Sequence, residues 1–316
     1  MIAVTGANGF VGQAVLRRLV EYGRDAVGIA RRAQSAPIAR EWVFPVADFA
    51  GIQTAWPDWL RCDAVIHLAA RVHVMHESDA DSMTAYRLTN VEGALRVADA
   101  ARRTGARRFV YVSSIKAVGE SSYGREPLDE YAEACPEDSY GRSKLEAEHA
   151  LREFGVHSGM EIVVVRPPLV YGPGVRANFL RLVGAVSKGV PLPLGAVRAR
   201  RSVVFVDNLA DALVHCAVDA AAAGETFHVS DGYDPEVAEL VRLIAAELGV
   251  RPRLISVPPA WLRAAGRLTG SSGQINRLVG ELRLDTRHIR DLLSWQPPFG
   301  LEDGLRATAR WYRTGH

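Results

Sequence analysis

Three glycines, Gly6, Gly9 and Gly12, follow the apolar run Ile2–Thr5 and open an amphipathic stretch that begins at Phe10-Val11. This order constrains the fold more than any other feature of the chain. A strand must turn into a helix within a few residues, and glycines permit the tight turn, a close approach to the backbone and intimate helix–sheet contact. The alternation then continues. Ala26–Ala30, Trp42–Val46, Ala64–His67, Phe109–Ser113 and Ile162–Arg166 are β-rich runs, and helical periodicity lies near Val11–Tyr22, Met83–Thr104 and Tyr140–Phe154. The pattern predicts an α/β fold, a Rossmann-type doubly wound parallel sheet with helices on both faces.

After Arg166 the run Pro167-Pro-Leu-Val-Tyr171-Gly-Pro-Gly174 can continue neither a helix nor a central strand. A boundary is expected here. Residues 1–166 with about 201–230 form the expected Rossmann domain, and 167–200 with about 231–316 a smaller, mostly C-terminal substrate domain. The second part is expected to hold a helix over Ala177–Lys188, a turn at Pro191–Gly195 and segments at Pro235–Leu248 and Ala260–Leu268. Arg201–Val206 and Asp207–Val218 read as a strand and helix that rejoin the first domain, and Gly270–Gly273 as a mobile loop.

With 316 residues and 48% hydrophobic content, the chain can bury a sizeable core. A net charge of +2 is too balanced to predict nucleic acid or a membrane surface as a partner. Cys62, Cys135 and Cys216 are odd in number, far apart and without metal-ligand spacing, so free thiols in a reducing cytoplasm and no metal site are expected. Met1 runs straight into the first strand, so no targeting segment is expected, and no apolar run approaches the ~18 residues of a membrane span.

A glycine turn at a helix N-terminus suits a dinucleotide pyrophosphate. The second strand ends Gly28-Ile-Ala-Arg31-Arg32, with no acid to bond a ribose 2′-hydroxyl, and a guanidinium matches a 2′-phosphate. NADP(H) is therefore expected in preference to NAD(H). Asp48-Phe49 could set a carboxylate at the adenine amino group or cap a helix. Tyr140-Gly-Arg-Ser-Lys144 places a phenol and an ammonium on one helix face, downstream of Ser113-Ser114. If a nicotinamide sits beside that face, the ammonium would lower the phenol's pKa and the pair would serve proton-coupled hydride transfer.

Taken together, these residues resemble the extended short-chain dehydrogenase/reductase superfamily, in its nucleotide-sugar epimerase, dehydratase and ketoreductase branch. The resemblance rests on the glycine loop, His67-Leu68-Ala69-Ala70, Asn90, Ser113-Ser114, Tyr140 with Lys144, Arg166-Pro167, Tyr171-Gly-Pro173 and Arg201 ahead of Val206–Asp211. It implies that Leu68, Ala69, Ala70, Asn90, Ser113 and Pro167 line the cofactor path. It implies too that Ser114 and Tyr140 hold the reacting carbonyl oxygen while Lys144 bonds the nicotinamide ribose. Asn178 and Arg201 become diphosphate contacts, although an amide N-cap and a solvated basic rim with Arg198 and Arg200 explain them as well. A second phosphate-binding Arg common in the branch has no counterpart, since Ile275 stands at that spacing, and Arg277 is the nearest substitute.

Ile115 and Lys116 follow Ser114, where similar 4,6-dehydratases carry an acidic pair and 3,5-epimerase/reductases a Cys, so both chemistries lack their groups. Lys116 reads either as a substrate contact or as a solvated lysine, and Leu282 either as a residue leaving room for an N-acetyl group or as core. The expected activity is NADPH-dependent 4-ketoreduction of a nucleotide-linked 4-keto-6-deoxy sugar, with UDP the expected nucleotide. The alternatives are an NAD-dependent UDP-hexose 4-epimerase, a non-catalytic NADP-binding sensor, and an alcohol or steroid dehydrogenase of the same fold. The resemblance also implies a homodimer paired through the Met83–Thr104 helix.

Overall fold

Nine strands form in the computed structural model, which describes residues 1–34, 37–72, 79–270 and 272–315, with backbone alone at 79–82, 272, 274 and 277. They are β1 (Ile2–Thr5), β2 (Ala26–Ala30), β3 (Arg40–Val43), β4 (Ala64–His67), β5 (Arg108–Val112), β6 (Glu161–Arg166), β7 (Leu169–Tyr171), β8 (Val203–Phe205) and β9 (Thr226–His228). Seven of them make one parallel sheet in the order β3-β2-β1-β4-β5-β6-β9. This is the expected Rossmann-type sheet, and β1, β2 and β4 occupy the residues the sequence pattern marks.

The helices are α1 (Phe10–Glu21), α2 (Ile52–Ala55), α3 (Asp79–Tyr86), α4 (Gly93–Arg103), α5 (Ser139–Ser158), α6 (Ala177–Ser187), α7 (Val206–Val218), α8 (Val237–Leu248), α9 (Pro259–Leu268), α10 (Ser272–Val279), α11 (Arg287–Leu293) and α12 (Leu301–Arg313). Buried residues of α1 and α7 cover one sheet face and merge with those of α6, α8 and α12 in a single apolar cluster. Buried residues of α4 and α5 cover the other face. Where β2 passes beneath α1, a Cβ on Gly28 would lie 2.9 Å from that of Ala7, so the glycine sets how closely loop and sheet approach.

Several expectations are corrected. β3 starts two residues and ends three residues earlier than expected, its end set by Pro45, which has no N–H for the ladder. The helix expected over Met83–Thr104 is interrupted by a π-helical turn at Arg87–Glu92 between α3 and α4. β8 does not join the main sheet: it pairs with β7 in a separate two-stranded parallel sheet, and β9 supplies the seventh strand. The expected Gly270–Gly273 loop is partly helical, since α10 starts at Ser272, while Ser271 lies outside the described residues. No helix among the described residues is long and apolar enough to cross a membrane.

Candidate active site

The glycine loop is closed tightly against the end of β4. Gly6 has φ of +67°, and a Cβ there would lie 3.0 Å from the backbone N of Ala69. A Cβ on Gly12 would come within 2.2 Å of the Gly6 carbonyl oxygen, and one on Gly9 within 3.0 Å. Thr5 locks the two loops together, its Oγ1 accepting from the N–H of Leu68 at 3.2 Å and of Ala69 at 3.3 Å and lying 2.9 Å from His67 Nδ1. Gly9 caps α1 without a side-chain bond, so the N–H groups of the first turn, Phe10, Val11 and Gly12, are left to meet an anion. This cradle, which side chains would fill, fits a dinucleotide pyrophosphate.

At the end of β2, Arg31 and Arg32 are exposed and neither guanidinium pairs with a described residue. Asn8 Nδ2 donates to the Arg32 carbonyl at 2.6 Å, and the Gln34 amide donates to Asn8 Oδ1. Glu41 on β3, absent from the sequence reading, accepts the Gln34 N–H at 3.0 Å while its Oε1 is buried with no partner among the described residues. Asp48 does not cap a helix, because Gly51 occupies the N-cap of α2. Its carboxylate instead takes Arg96 of α4 at 2.8 Å. Phe49 is buried and stacks on Phe44 with ring centroids 6.1 Å apart.

Tyr140 and Lys144 enter on the first turns of α5, which Asp138 caps by accepting the Gly141 N–H at 2.8 Å. Lys144 is almost wholly buried and donates to the Val112 carbonyl at 2.8 Å. Its Nζ lies 4.6 Å from the centroid of the Tyr111 ring and 5.8 Å from that of Tyr140. Burial pulls the ammonium down to about 7, with Glu148 opposing. The Tyr140 phenol is pushed well up, by burial first and then by Asp138 and Tyr86. The expected lowering by Lys144 is therefore reversed in the protein alone, because the cost of burying a phenolate exceeds the attraction of an ammonium that is itself poorly solvated.

One turn further along α5, Glu148 is fully buried. It accepts Ser113 Oγ at 2.5 Å and takes a bidentate grip on Arg166 at 2.6 and 3.0 Å. Ser113 is thus spent on holding β5 to α5. Asn90, in the π-helical turn, accepts the Arg71 N–H at 2.8 Å and donates to the Arg71 carbonyl at 3.2 Å and to Ser143 Oγ at 2.9 Å, which pins the loop carrying Ala69 and Ala70. The sequence reading missed Thr5, Ser143 and Glu148. Of these only Glu148 carries a local signal, four residues past Lys144 on the same face.

Ser114 is half-buried and its Oγ accepts the Lys116 N–H at 3.3 Å, capping the 3₁₀ turn Ile115–Ala117. The Ile115 N–H donates to the Pro167 carbonyl at 3.0 Å. Lys116 is not a solvated lysine: its Nζ donates to Glu120 at 2.9 Å and to the cap residue Asp138 at 2.6 Å. Its carbonyl lies so near α5 that a Cβ on Gly141 would be 2.3 Å away. Lys116 thus clamps the Ser114 turn to the helix that presents Tyr140. Ile115 is buried with Val118, Leu128, Leu282 and Leu284, so Leu282 is a core residue adjoining this turn.

On the far side, Asn178 is exposed in the first turn of α6, whose N-cap is Arg176 and not Asn178. Arg201 is half-buried and donates to the Gly280 carbonyl at 2.9 Å, while Arg198 pairs with Glu236 at 2.9 Å. The Arg277 side chain lies outside the described residues.

Fold and site define a Rossmann-type α/β enzyme that pairs a dinucleotide cradle with serine, tyrosine and lysine side chains near the C-terminal ends of the strands. Over residues 2–230 the chain matches the NAD dependent epimerase/dehydratase family, and it belongs to that family. It is an enzyme of the extended short-chain dehydrogenase/reductase type, among nucleotide-sugar epimerases, dehydratases and reductases. It is 37% identical to a UDP-glucose 4-epimerase of Vibrio cholerae, over 98% of this chain and 94% of that protein. A UDP-glucose 4-epimerase of Mycolicibacterium smegmatis is 30% identical over 98% of this chain and 97% of that protein. The solved structure of MoeE5 in complex with UDP-glucose and NAD superposes with a TM-score of 0.74 at 26% identity, covering 99% of each chain.

Proposed function

We propose that the protein is an NADP(H)-dependent reductase acting at carbon four of a 4-keto-6-deoxy sugar linked to a nucleotide, UDP in our reading. The observation that carries the preference for reduction is the pair of exposed guanidiniums, Arg31 and Arg32, which pair with no described residue and stand where an acid would select NAD. Bound nicotinamide supplies or receives the hydride. Tyr140 gives its proton to the carbonyl oxygen as the alcohol forms, Ser114 Oγ holds that oxygen, and Lys144 bonds the ribose and places a cation near the phenol. In this reading Asn178 and Arg201 meet the diphosphate, and residues 167–200 with about 231–316 are the nucleotide-sugar half of the enzyme. Elimination is disfavoured at this site because Ile115 is buried, and the nearby acids Glu120 and Asp138 are committed to Lys116.

A second reading, a UDP-hexose 4-epimerase that returns the same hydride after the ketone rotates, is favoured by the 37% identical Vibrio cholerae relative. One assay separates them. Stoichiometric NADPH loss with a UDP-linked 4-keto-6-deoxy-N-acetylhexosamine supports reduction, whereas interconversion of UDP-hexoses without cofactor consumption replaces it with epimerisation. Exchanging Arg31 and Arg32 for alanine is expected to raise KM for NADPH about tenfold or more and leave KM for NADH nearly unchanged, since charge-assisted bonds to a 2′-phosphate are lost. Equal effects on both cofactors would assign the arginines to the surface.

Lys116→Met tests the clamp. Loosening the Ser114 turn from α5 is expected to lower kcat about tenfold with KM for the nucleotide sugar unchanged. A rise in KM at constant kcat would return Lys116 to the substrate-contact reading.

A further inference from the structure

The near-neutral charge of the whole chain hides a segregation. Residues 167–206 and 249–280 hold eleven of the 38 Lys and Arg and none of the 36 Asp and Glu, so the rest of the chain sets 27 basic residues against all 36 acids. The fold brings these two acid-free segments together. Leu192 bridges Leu254 in parallel, the Leu192 N–H donates to the Arg253 carbonyl at 2.8 Å, the Ile255 N–H returns to the Leu192 carbonyl at 2.8 Å, and the Gly195 N–H reaches the Ile255 carbonyl at 3.0 Å.

From this joined edge α9 projects with its apolar residues outward. Trp261, Ala264, Ala265 and Leu268 recur at i, i+3, i+4 and i+7, which places them on one stripe, and all four are exposed, Trp261 by 74% and Leu268 by 89%. The opposite side, Leu262 and Gly266, is the one turned to the protein. Arg251, Arg253, Arg263 and Arg267 are exposed and make no ion pair with a described residue. Val190 and Ile255 extend the apolar surface across the bridged edge, at 43% and 51% exposure.

A nucleotide diphosphate does not account for this surface. At 1.5 Å per residue, α6 carries Lys188 about 15 Å from Asn178, so the bridged edge lies at the other end of that helix, and a diphosphate has no use for an outward Trp–Leu stripe. A nucleic acid would stack bases on aromatic rings in a basic groove, leaving Leu268 and the two alanines without a role. A short helix with Trp and Leu along one face and arginines beside it has the composition of an interfacial membrane helix. We propose that α9 and the bridged edge dock on an anionic phospholipid surface, with Trp261 and Leu268 entering the headgroup–acyl boundary and the arginines meeting lipid phosphates.

The test uses the full-length protein and needs no assumption about its reaction. Sedimentation with vesicles of about one-third phosphatidylglycerol in phosphatidylcholine is expected to capture it about tenfold more strongly than phosphatidylcholine alone, and high salt should weaken capture. Trp261→Glu with Leu268→Glu is expected to weaken capture about tenfold while turnover of soluble substrate and the melting temperature stay as in the parent. No preference for anionic vesicles overturns the proposal. So does capture that the double variant leaves intact, which would assign the arginines to a generic polyanion such as an acidic protein or nucleic acid.

Discussion

Tyr140→Phe is expected to lower turnover about a thousandfold, the range lost when a positioned general acid is removed, while leaving cofactor binding and fold in place. The substitution deletes one hydroxyl that makes no hydrogen bond to a described residue, and the ring contact with Tyr86, centroids 6.1 Å apart, survives. Burial, Asp138 and Tyr86 all act to keep the phenol protonated, which suits a proton donor in the reductive direction. The partner that titrates near neutrality is Lys144, brought down to about 7. In the reductive direction kcat/KM should therefore fall as pH rises through about 7 in the parent enzyme, as the ammonium loses its charge. Stopped-flow NADPH oxidation and cofactor titration check both statements. Turnover of Tyr140→Phe within tenfold of the parent would remove Tyr140 from the chemistry.

Acid is expected to destabilise the fold as pH falls below about 6.5, through two buried histidines. His67 and His228 are buried, the Nε2 of each has no partner among the described residues, and burial pulls both from the ordinary 6.5 to about 3. The folded state keeps them neutral between those limits while the unfolded chain takes up protons below 6.5. The stability they contribute is therefore complete above about 6.5 and is lost as pH falls toward 3. From 6.5 to 5 each costs about 2 kcal/mol at about 1.4 kcal/mol per unit, so the pair costs about 4 kcal/mol. Burial raises the carboxyls of Glu130, Asp207, Asp231 and Asp234 from their ordinary values, and they act in the opposite sense. His228→Gln isolates the effect: urea unfolding at the two pH values should show about half the parent's loss. An unchanged loss would mean that His228 is not the group responsible.

Much of this enzyme could be read from short stretches of chain. The glycine turn, the hydrophobic runs of β1, β2 and β4 and the capped α5 are local patterns, and local patterns survive without knowledge of neighbours. The Tyr140–Lys144 face followed from helical geometry alone. Asp48 shows where such reasoning stops, because a carboxylate before a helix reads equally as an adenine contact or a cap until Arg96 is brought to it from a distant helix. Lys116 shows the same for a cation, which sequence leaves between substrate and solvent and the fold commits to Glu120 and Asp138.

Other features have no local signature at all. β9 is three residues long and β8 joins β7 instead of the main sheet, choices made by which edge is open once the other strands have paired. The π-helical turn sets Asn90 against Arg71 and Ser143, partners 19 and 53 residues away in the chain, which no local pattern announces. The segregated charge follows the same rule: composition reports a balanced chain, and only the pairing of Leu192 with Leu254 brings the two acid-free stretches side by side. Residue type and periodicity determined the elements and the chemistry available to them. Partner choice, burial and the resulting pKa shifts were decided by tertiary structure, since each depends on groups distant in the chain that share one low-dielectric interior.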